Sequence, residues 1–443
     1  MPSAGVPSAG VPSAGSPRRR PPIRGILLDV APLRLDRDYR LLWAGQVVSG
    51  IGTNVVRVAL PYQVYVLTGS ALAIAALTAV QLIPILVFSL GGGAIADAVD
   101  RRRLLLVTSV GLAASSGGLL ALSLLPSPPL LGIFAVAFIG ASLAAIDQPA
   151  RSSAVPRLVP AERLPAAIAL GQLNFTTAAV VGPAIGGIVI ATVGLPAAYG
   201  LDVLSFAASF VALARIAPLP PLGQVARPGL AAIREGLRFA AGHRVILATF
   251  AIDLDAMIFG MPTSLFPILA LDTFHAGPAG VGLLTAAPAA GAFLGALLSG
   301  WVGAVRRTGR AVILAVAAWG AAITAFGLVT FAFPLALFFL AIAGAADVLS
   351  AVFRSTIVQL EAPDELRGRV TALHLLVVTS GPRLGDLEAA GVAAVLGAQV
   401  SVVSGGLLCL AGIIAVVGRY PELAAHLSRT ARPTGPEAPA AAS

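Results

Sequence analysis

The sequence predicts an all-α membrane protein of twelve transmembrane helices in two six-helix bundles, with both termini in the cytoplasm. Three observations lead there. Of the 443 residues, 57% are hydrophobic and only 11% charged, against about 25% charged in an ordinary soluble domain. The charges gather in short clusters between apolar stretches of about 20 residues, the length that crosses ~30 Å of hydrocarbon as a helix. A segment beginning at Arg151 also recurs at Arg354, so the chain carries one plan twice.

The spans read in order as 41–66, 71–96, 104–125, 129–148, 166–191 and 197–214, then 245–271, 279–302, 311–331, 333–353, 370–395 and 400–418. None alternates polar and apolar residues, which excludes a transmembrane β-barrel. With the N-terminus inside, the cytoplasmic segments hold Arg18–Arg20, Arg24, Arg101–Arg103, Arg151, Arg157, Arg163, Arg227, Arg234, Arg238, Arg244, Arg306, Arg307, Arg310, Arg367, Arg369 and Arg419. The opposite loops, near 67–70, 126–128, 192–196, 272–278, 332 and 396–399, hold none. The positive-inside rule then makes both ends cytoplasmic.

Five regions follow. Residues 1–35, with a VPSAG repeat and SPRRRPP but no signal-peptide h-region, read as a disordered cytoplasmic tail. Residues 36–214 form the first bundle, 215–244 a cytoplasmic linker, 245–420 the second bundle and 421–443 a second disordered tail. In the linker, prolines break the preceding helix. Leu230, Ile233, Leu237 and Phe239 then recur at roughly helical spacing, the pattern of an amphipathic helix on the membrane surface. Aligned without gaps, residues 151–170 and 354–373 coincide at seven of twenty positions, a constant 203 residues apart. Two parallel six-span repeats imply a pseudo-two-fold axis along the membrane normal, with a cavity between the halves.

Composition also excludes. The net charge is +9 and all 29 basic residues are arginine, yet they cluster at span ends, where orientation rather than nucleic acid explains them. Cys409 is alone, so there is no disulfide framework, and the four histidines make no metal-ligand spacing. Without lysine there is no phosphate-binding GxxxxGK[ST] loop. Nothing points to an enzyme, a metal or a cofactor.

The turn GGGAIADAVDRRRLL, Gly91 to Leu105, is the densest signal. Gly93, Asp97, Asp100, Arg101 and Arg102 are spaced as a latch. Gly93 lets helices approach, and Asp97 can bond the N-terminal amides of a neighbouring helix or an arginine across the bundle. In span 5, Gly182, Pro183, Gly186 and Gly187 make a kinked, small-residue face.

On these residues the chain resembles the major facilitator superfamily. Its loop 2–3 motif is similar to Gly93–Asp97 with Asp100–Arg102, and its exporter motif to Gly182–Gly187. Within it, ALPYQVYVLTGS (59–70), VPRLVPAERLPAAIAL (155–170), QLEAPDELRGRV (359–370) and GPRLGDLEAAGV (381–392) resemble the enterobactin (siderophore) exporter family. The resemblance implies a monomeric inner-membrane exporter of a siderophore or other small amphiphile, with protons as the coupling ion. Alternatives are a multidrug pump for macrolide- or tetracycline-type compounds and a non-transporting sensor or scaffold. Asp97→Asn separates the last: an exporter loses transport while still reaching the membrane. The second copy of the loop motif, GWVGAVRRTGRAV (300–312), keeps its arginines but lacks the acid. Span 4, FAVAFIGASLAAI, lacks the mid-membrane arginine of many drug/proton antiporters.

Ionisable residues inside spans are functional candidates. Arg57, near Asn54 and Gln63 in span 1, can bind an anionic substrate or neutralise an acid on another helix. Asp253 and Asp255 are two residues apart, so they point about 200° apart and cannot both face a cavity. Arg383 and Asp386 lie three apart in span 11 and can pair; Glu388 faces elsewhere. Gly381-Pro382 is expected to break span 11 beside them. Asp147 with Arg151, and Asp347 with Arg354, return to the same helix face at spacings of four and seven. Both read as structural ion pairs or gates.

Overall fold

The computed structural model describes residues 29–220 and 237–427, with the side chains of 89–98, 303 and part of 364–379 outside the description. Among the described residues, twelve long helices carry the fold. In the first half these are α1 (Arg37–Thr68), α2 (Ala71–Ala98), α3 (Arg101–Ser123), α4 (Leu130–Leu158), α5 (Leu164–Thr192) and α6 (Leu195–Ala214). In the second they are α7 (Arg244–Phe259), α8 (Gly277–Leu297), α9 (Thr308–Leu328), α10 (Phe333–Glu361), α11 (Asp364–Leu396) and α12 (Ala398–Arg419). Each falls on one expected span, although α7 ends at Phe259, well short of the 271 expected. Ten stretches are apolar and long enough to cross a membrane. The two long helices outside that set, α1 and α11, are the ones that carry Arg57 and Arg383, Asp386 and Glu388.

The packing repeats as the sequence does. In the first half α1 packs on α5 and α6, α3 on α4 and α6, and α2 on α4. In the second, α7 packs on α11 and α12, α9 on α10 and α12, and α8 on α10. Adding six to each helix number turns one set into the other. The contacts between halves, α5 with α8 and α2 with α11, obey the same rule. That pattern is what two parallel repeats about a two-fold axis require.

Two expectations are corrected, on the tails and on the place of the helix break. Residues 31–35 and 421–425, read as tail, form short helices. Each begins with a proline in its first turn, the position where a missing N–H costs nothing. Leu423 is fully buried under α9 and α12 and anchors the second of them. The linker is helical at 237–242, while Leu230 and Ile233 lie outside the described residues. The helix break is in span 7, not span 11. Helix α11 runs unbroken through Pro382, whereas α7 stops at Phe259 and resumes after Gly260–Pro262 as short 3-10, α and π turns to Thr273.

Small residues set how closely the halves meet. A Cβ on Gly187 of α5 would lie 2.8 Å from the carbonyl oxygen of Pro278 and 2.9 Å from the Cα of Gly282, both in α8. Without side chains the two backbones touch, the means by which membrane helices associate. Gly187 and Gly282 each lie about a turn from the arginine-free end. There Tyr65 of α1 also donates a hydrogen bond to Asp272, in the π turn that ends span 7.

Candidate functional site

The break in α7 organises the interior of the second half. Gly260 and Pro262 interrupt the helical ladder, and the freed backbone groups need partners inside the span. The indole N–H of Trp319, from α9, donates to the Gly260 carbonyl at 2.7 Å. Asp386 of α11 accepts from the Ser264 amide at 2.7 Å and the Thr263 hydroxyl at 2.5 Å, and Ser264 Oγ returns a bond to the Asp386 carbonyl at 3.0 Å. Asp386 is thus the cap of a broken helix. The expected pairing with Arg383 does not form. Arg383 turns from the break and reaches across to Gln81 of α2 at 3.0 Å.

The Arg57 side chain is exposed, with Arg383 and Asp386 of the other half as its charged neighbours. Its neighbours in sequence do otherwise. Gln63 is buried and accepts from the Tyr199 hydroxyl at 2.6 Å. Asn54 donates to the Gly50 carbonyl at 2.9 Å, and its Cβ abuts Gly182. Gly186 lies against Val55 of α1. The face Gly182-Pro183-Gly186-Gly187 therefore seats α5 on α1 and on α8 at once.

Asp253 and Asp255 diverge as their spacing requires. Asp255 turns to α12, beside the Cys409 thiol and Gly412. Asp253, 0% exposed, meets Arg354 of α10, 1% exposed, at 2.8 Å. The same guanidinium stands 3.8 Å from Asp347 and donates to Ser350 Oγ at 2.9 Å. In the first half, Arg151 pairs with Asp147 on its own helix, and Thr108 donates to that carboxylate at 2.6 Å. Glu388 is half-buried.

The loop 2–3 motif is divided by the description. Gly93 and Asp97 lie in the last turns of α2 with side chains outside the described residues. Asp100 caps α3, accepting from the Arg103 amide at 2.9 Å. Arg101 donates to Ser153 of α4 at 3.0 Å, and Arg102 to the Ala214 carbonyl that ends α6 at 2.6 Å. These bonds knit one end of the first half.

Spacing did not reveal the Asp253–Arg354 contact, which joins two helices. The repeat carries a signal for it. Position 350, the counterpart of Asp147, is serine, so Arg354 lacks the acid its twin has. Asp202, 2% exposed in α6 and accepting from Ser116 at 2.5 Å, is a buried acid that reading for charge clusters passed over. Its signal was one carboxylate in an apolar span.

Comparisons with known proteins place these features. A family model described as transmembrane secretion effector, within the major facilitator transporters, matches residues 28–439. The enterobactin exporter EntS of Citrobacter koseri is 28% identical over 395 residues, covering 88% of this chain and 93% of that one. That of Shigella boydii serotype 18 matches to the same extent. Among solved structures, a point mutant of a peptide transporter POT superposes with TM-score 0.71 at 11% identity, covering 88% of this chain and 95% of its own. A bacterial homologue of the iron transporter ferroportin, in an inward-facing state, superposes with TM-score 0.65 at 14% identity, covering 88% and 100%.

Proposed function

The chain belongs to the transmembrane secretion effector family of major facilitator transporters, and from that premise we propose that it exports a siderophore-type or similar small organic molecule by proton antiport with alternating access. It is a multi-pass inner-membrane efflux transporter and not an enzyme. The cargo, the coupling ion and the residues that carry them belong to the proposal.

Arg57 carries this reading. An exposed guanidinium deep within a membrane span is costly unless something pairs with it. Arg383 lies nearby on the other half, so two cations and one acid, Asp386, face the same depth. Asp386 is already engaged by Thr263 and Ser264. The free acceptor demand therefore belongs to the cargo, and it favours one with anionic or strongly hydrogen-bond-accepting oxygens. Enterobactin is the compound in the relatives' name, and it is the first to test.

The halves are drawn together at the arginine-free end by Tyr65–Asp272 and by Gly187 against Gly282. With arginines inside, this is the outward-closed state, and Arg57 meets cargo from the cytoplasm. Gly182, Pro183, Gly186 and Gly187 form the outer seal. Gly93, Asp97, Asp100, Arg101 and Arg102 form the inner latch. The chain acts as a monomer in the bilayer, with regions 36–214 and 245–420 rocking about the central site.

The test uses purified protein in inside-out vesicles supplied with enterobactin. Uptake should rise with a proton gradient and fall in Arg57→Gln. Equal transport with and without the gradient removes proton antiport. Transport unaffected by Arg57→Gln removes the cargo site.

A further inference from the structure

We infer that the coupling proton is held in the second bundle, by the carboxylates of Asp253 and Asp347 on either side of Arg354, at a site separate from the cargo-facing Arg57. The inference rests on the antiport reading above and assigns the residues that perform it.

The first argument is a charge count. Arg354 Nη2 lies 2.8 Å from Asp253 and 3.8 Å from Asp347. With the neighbouring His374 neutral, two carboxylates share one guanidinium, which leaves a net charge of −1 on the set. An uncompensated buried charge is strongly unfavourable. One proton brings the set to zero. The first half needs none, because Arg151 faces the single acid Asp147.

The second argument is hydrogen bonding. Neither carboxylate oxygen of Asp253 accepts a hydrogen bond, although the residue is 0% exposed. Arg354 approaches within ion-pair distance but without hydrogen-bond alignment, and its Nε is likewise unsatisfied. A buried carboxylate normally gathers several donors. A neutral carboxyl has far less need of them and brings its own O–H donor. Here the acid is built to alternate between the two forms.

The surroundings isolate the set. From α11, His374 faces Asp253, its ring stacked on Phe250 at 5.8 Å and its Nδ1 unpartnered. From α10 come Arg354 and Asp347. On α7 itself, Asp255 turns away to Cys409 of α12. Between residues 311 and 328 of α9, 277 and 297 of α8, and 398 and 418 of α12 there is no acid, arginine or histidine. A metal cation is a poor occupant, because it needs several oxygen ligands and Arg354 stands among them.

Asp347 supplies the route. Its side chain is 32% exposed, and it lines a cavity of about 30 Å³ at the α7 break with Gly260, Thr263 and Trp319. That space is enough for one or two waters. In the step itself, one carboxylate oxygen of the pair takes H⁺ from water on one side, and the set goes from −1 to 0. The same oxygen later returns H⁺ to water on the other side, and no other bond changes. At ~1.5 Å per helical residue, Asp253 lies ~14 Å along α7 and Arg57 ~30 Å along α1, from the same end. Proton and cargo therefore do not compete for one charge. Helix α7 links them, with Asp253 below its break and Ser264, bonded to Asp386, above it.

The experiment has two readouts on purified wild type, Asp253→Asn, Asp347→Asn and the control Asp255→Asn. Infrared difference spectra between pH 8 and pH 5 report protonated carboxyl groups without any cargo. Above the background from the other acids within spans, Asp202, Asp255 and Asp386, wild type and Asp255→Asn should share one carboxylic-acid band component that Asp253→Asn and Asp347→Asn both lose. In vesicles with enterobactin, wild-type accumulation should rise up to ~10-fold per pH unit of gradient, the limit for one proton. In the two variants that ratio should fall to ~1, the value when no proton is coupled. Variants that keep both the band and the gradient response overturn the assignment. Wild type that ignores the gradient overturns antiport instead, and the infrared band alone then decides whether Asp253 and Asp347 bind the proton. Intact elution profiles and enterobactin binding in the variants exclude misfolding as the cause.

Discussion

Arg151 and Arg354 occupy the same place in two copies of one repeat, yet they keep different company. In the first half the acid stands four residues earlier, Asp147, and closes a pair within one helix. In the second half that position is Ser350, and the acid has moved one turn back, to Asp347. A shift of three residues keeps the acid on the same helix face but lengthens its contact with the arginine to 3.8 Å. The vacated side of Arg354 is taken by Asp253 from α7. The difference teaches that a duplicated arginine can serve as a closed strut in one bundle and as the centre of an open charge set in the other.

Removing the arginine tests this most strongly. Arg151→Met leaves one buried acid unpaired, and breaking such a pair costs about 3–5 kcal/mol. Arg354→Met leaves two acids facing each other and should cost more. Thermal unfolding in detergent at pH 8 should place Arg354→Met below Arg151→Met. Lowering the pH to 5 should narrow the gap, since protonation removes the repulsion. Equal melting temperatures at both pH values would erase the distinction between halves.

The proposed cargo site gives the next effect. Arg57 of the first half is exposed, while Arg383 of the second is tied to Gln81. A charged hydrogen bond contributes about 1.5–3 kcal/mol, so Arg57→Gln should weaken enterobactin binding about 10- to 100-fold. Arg383→Gln should weaken it less, because that side chain already has a partner. Isothermal titration reads both, and the reverse order would move the site to the second half.

Rebuilding the second half on the first sharpens the comparison further. Ser350→Asp combined with Asp253→Asn and Asp347→Ala gives Arg354 a single acid at the spacing of four. Stability should stay within about 1 kcal/mol of wild type, since one buried pair replaces another. The response to a proton gradient should fall from up to ~10-fold per pH unit to none.

Much of the fold was legible because a bilayer imposes a length and a hydropathy that each span must meet. The site was less so. Pro61, Pro84, Pro183, Pro288 and Pro382 all stay within helices, while Pro262 follows a break. At the Pro262 break neighbours satisfy the freed backbone, and those neighbours, Trp319 and Asp386, lie 57 and 124 residues away from Pro262 in the chain. Asp253 was visible as a charge in a span, but its partner sat on another helix. Only the missing acid before Arg354 pointed to it.

The smallest expected effect lies at the end where the halves meet. Tyr65 and Asp272 share a hydrogen bond at a recess of about 640 Å³ that opens between α1, the end of span 7 and the turn before α12. The backbones of α5 and α8 also touch there through Gly187 and Gly282. One hydrogen bond at a wet surface contributes about 0.5–1.5 kcal/mol. Tyr65→Phe should therefore raise the outward-open population only about 2- to 10-fold. Spin labels at Ser70→Cys and Thr273→Cys read that population as a distance, and buried Cys409 stays unlabelled. Gly282→Leu must push the helices apart and should open the same end further than Tyr65→Phe. If Tyr65→Phe opens it as far as Gly282→Leu does, the side-chain bond holds the halves and the glycine face merely permits it. If only Gly282→Leu opens it, backbone contact is the seal, and the two halves are joined by their shared small-residue plan rather than by the polar groups in which they differ.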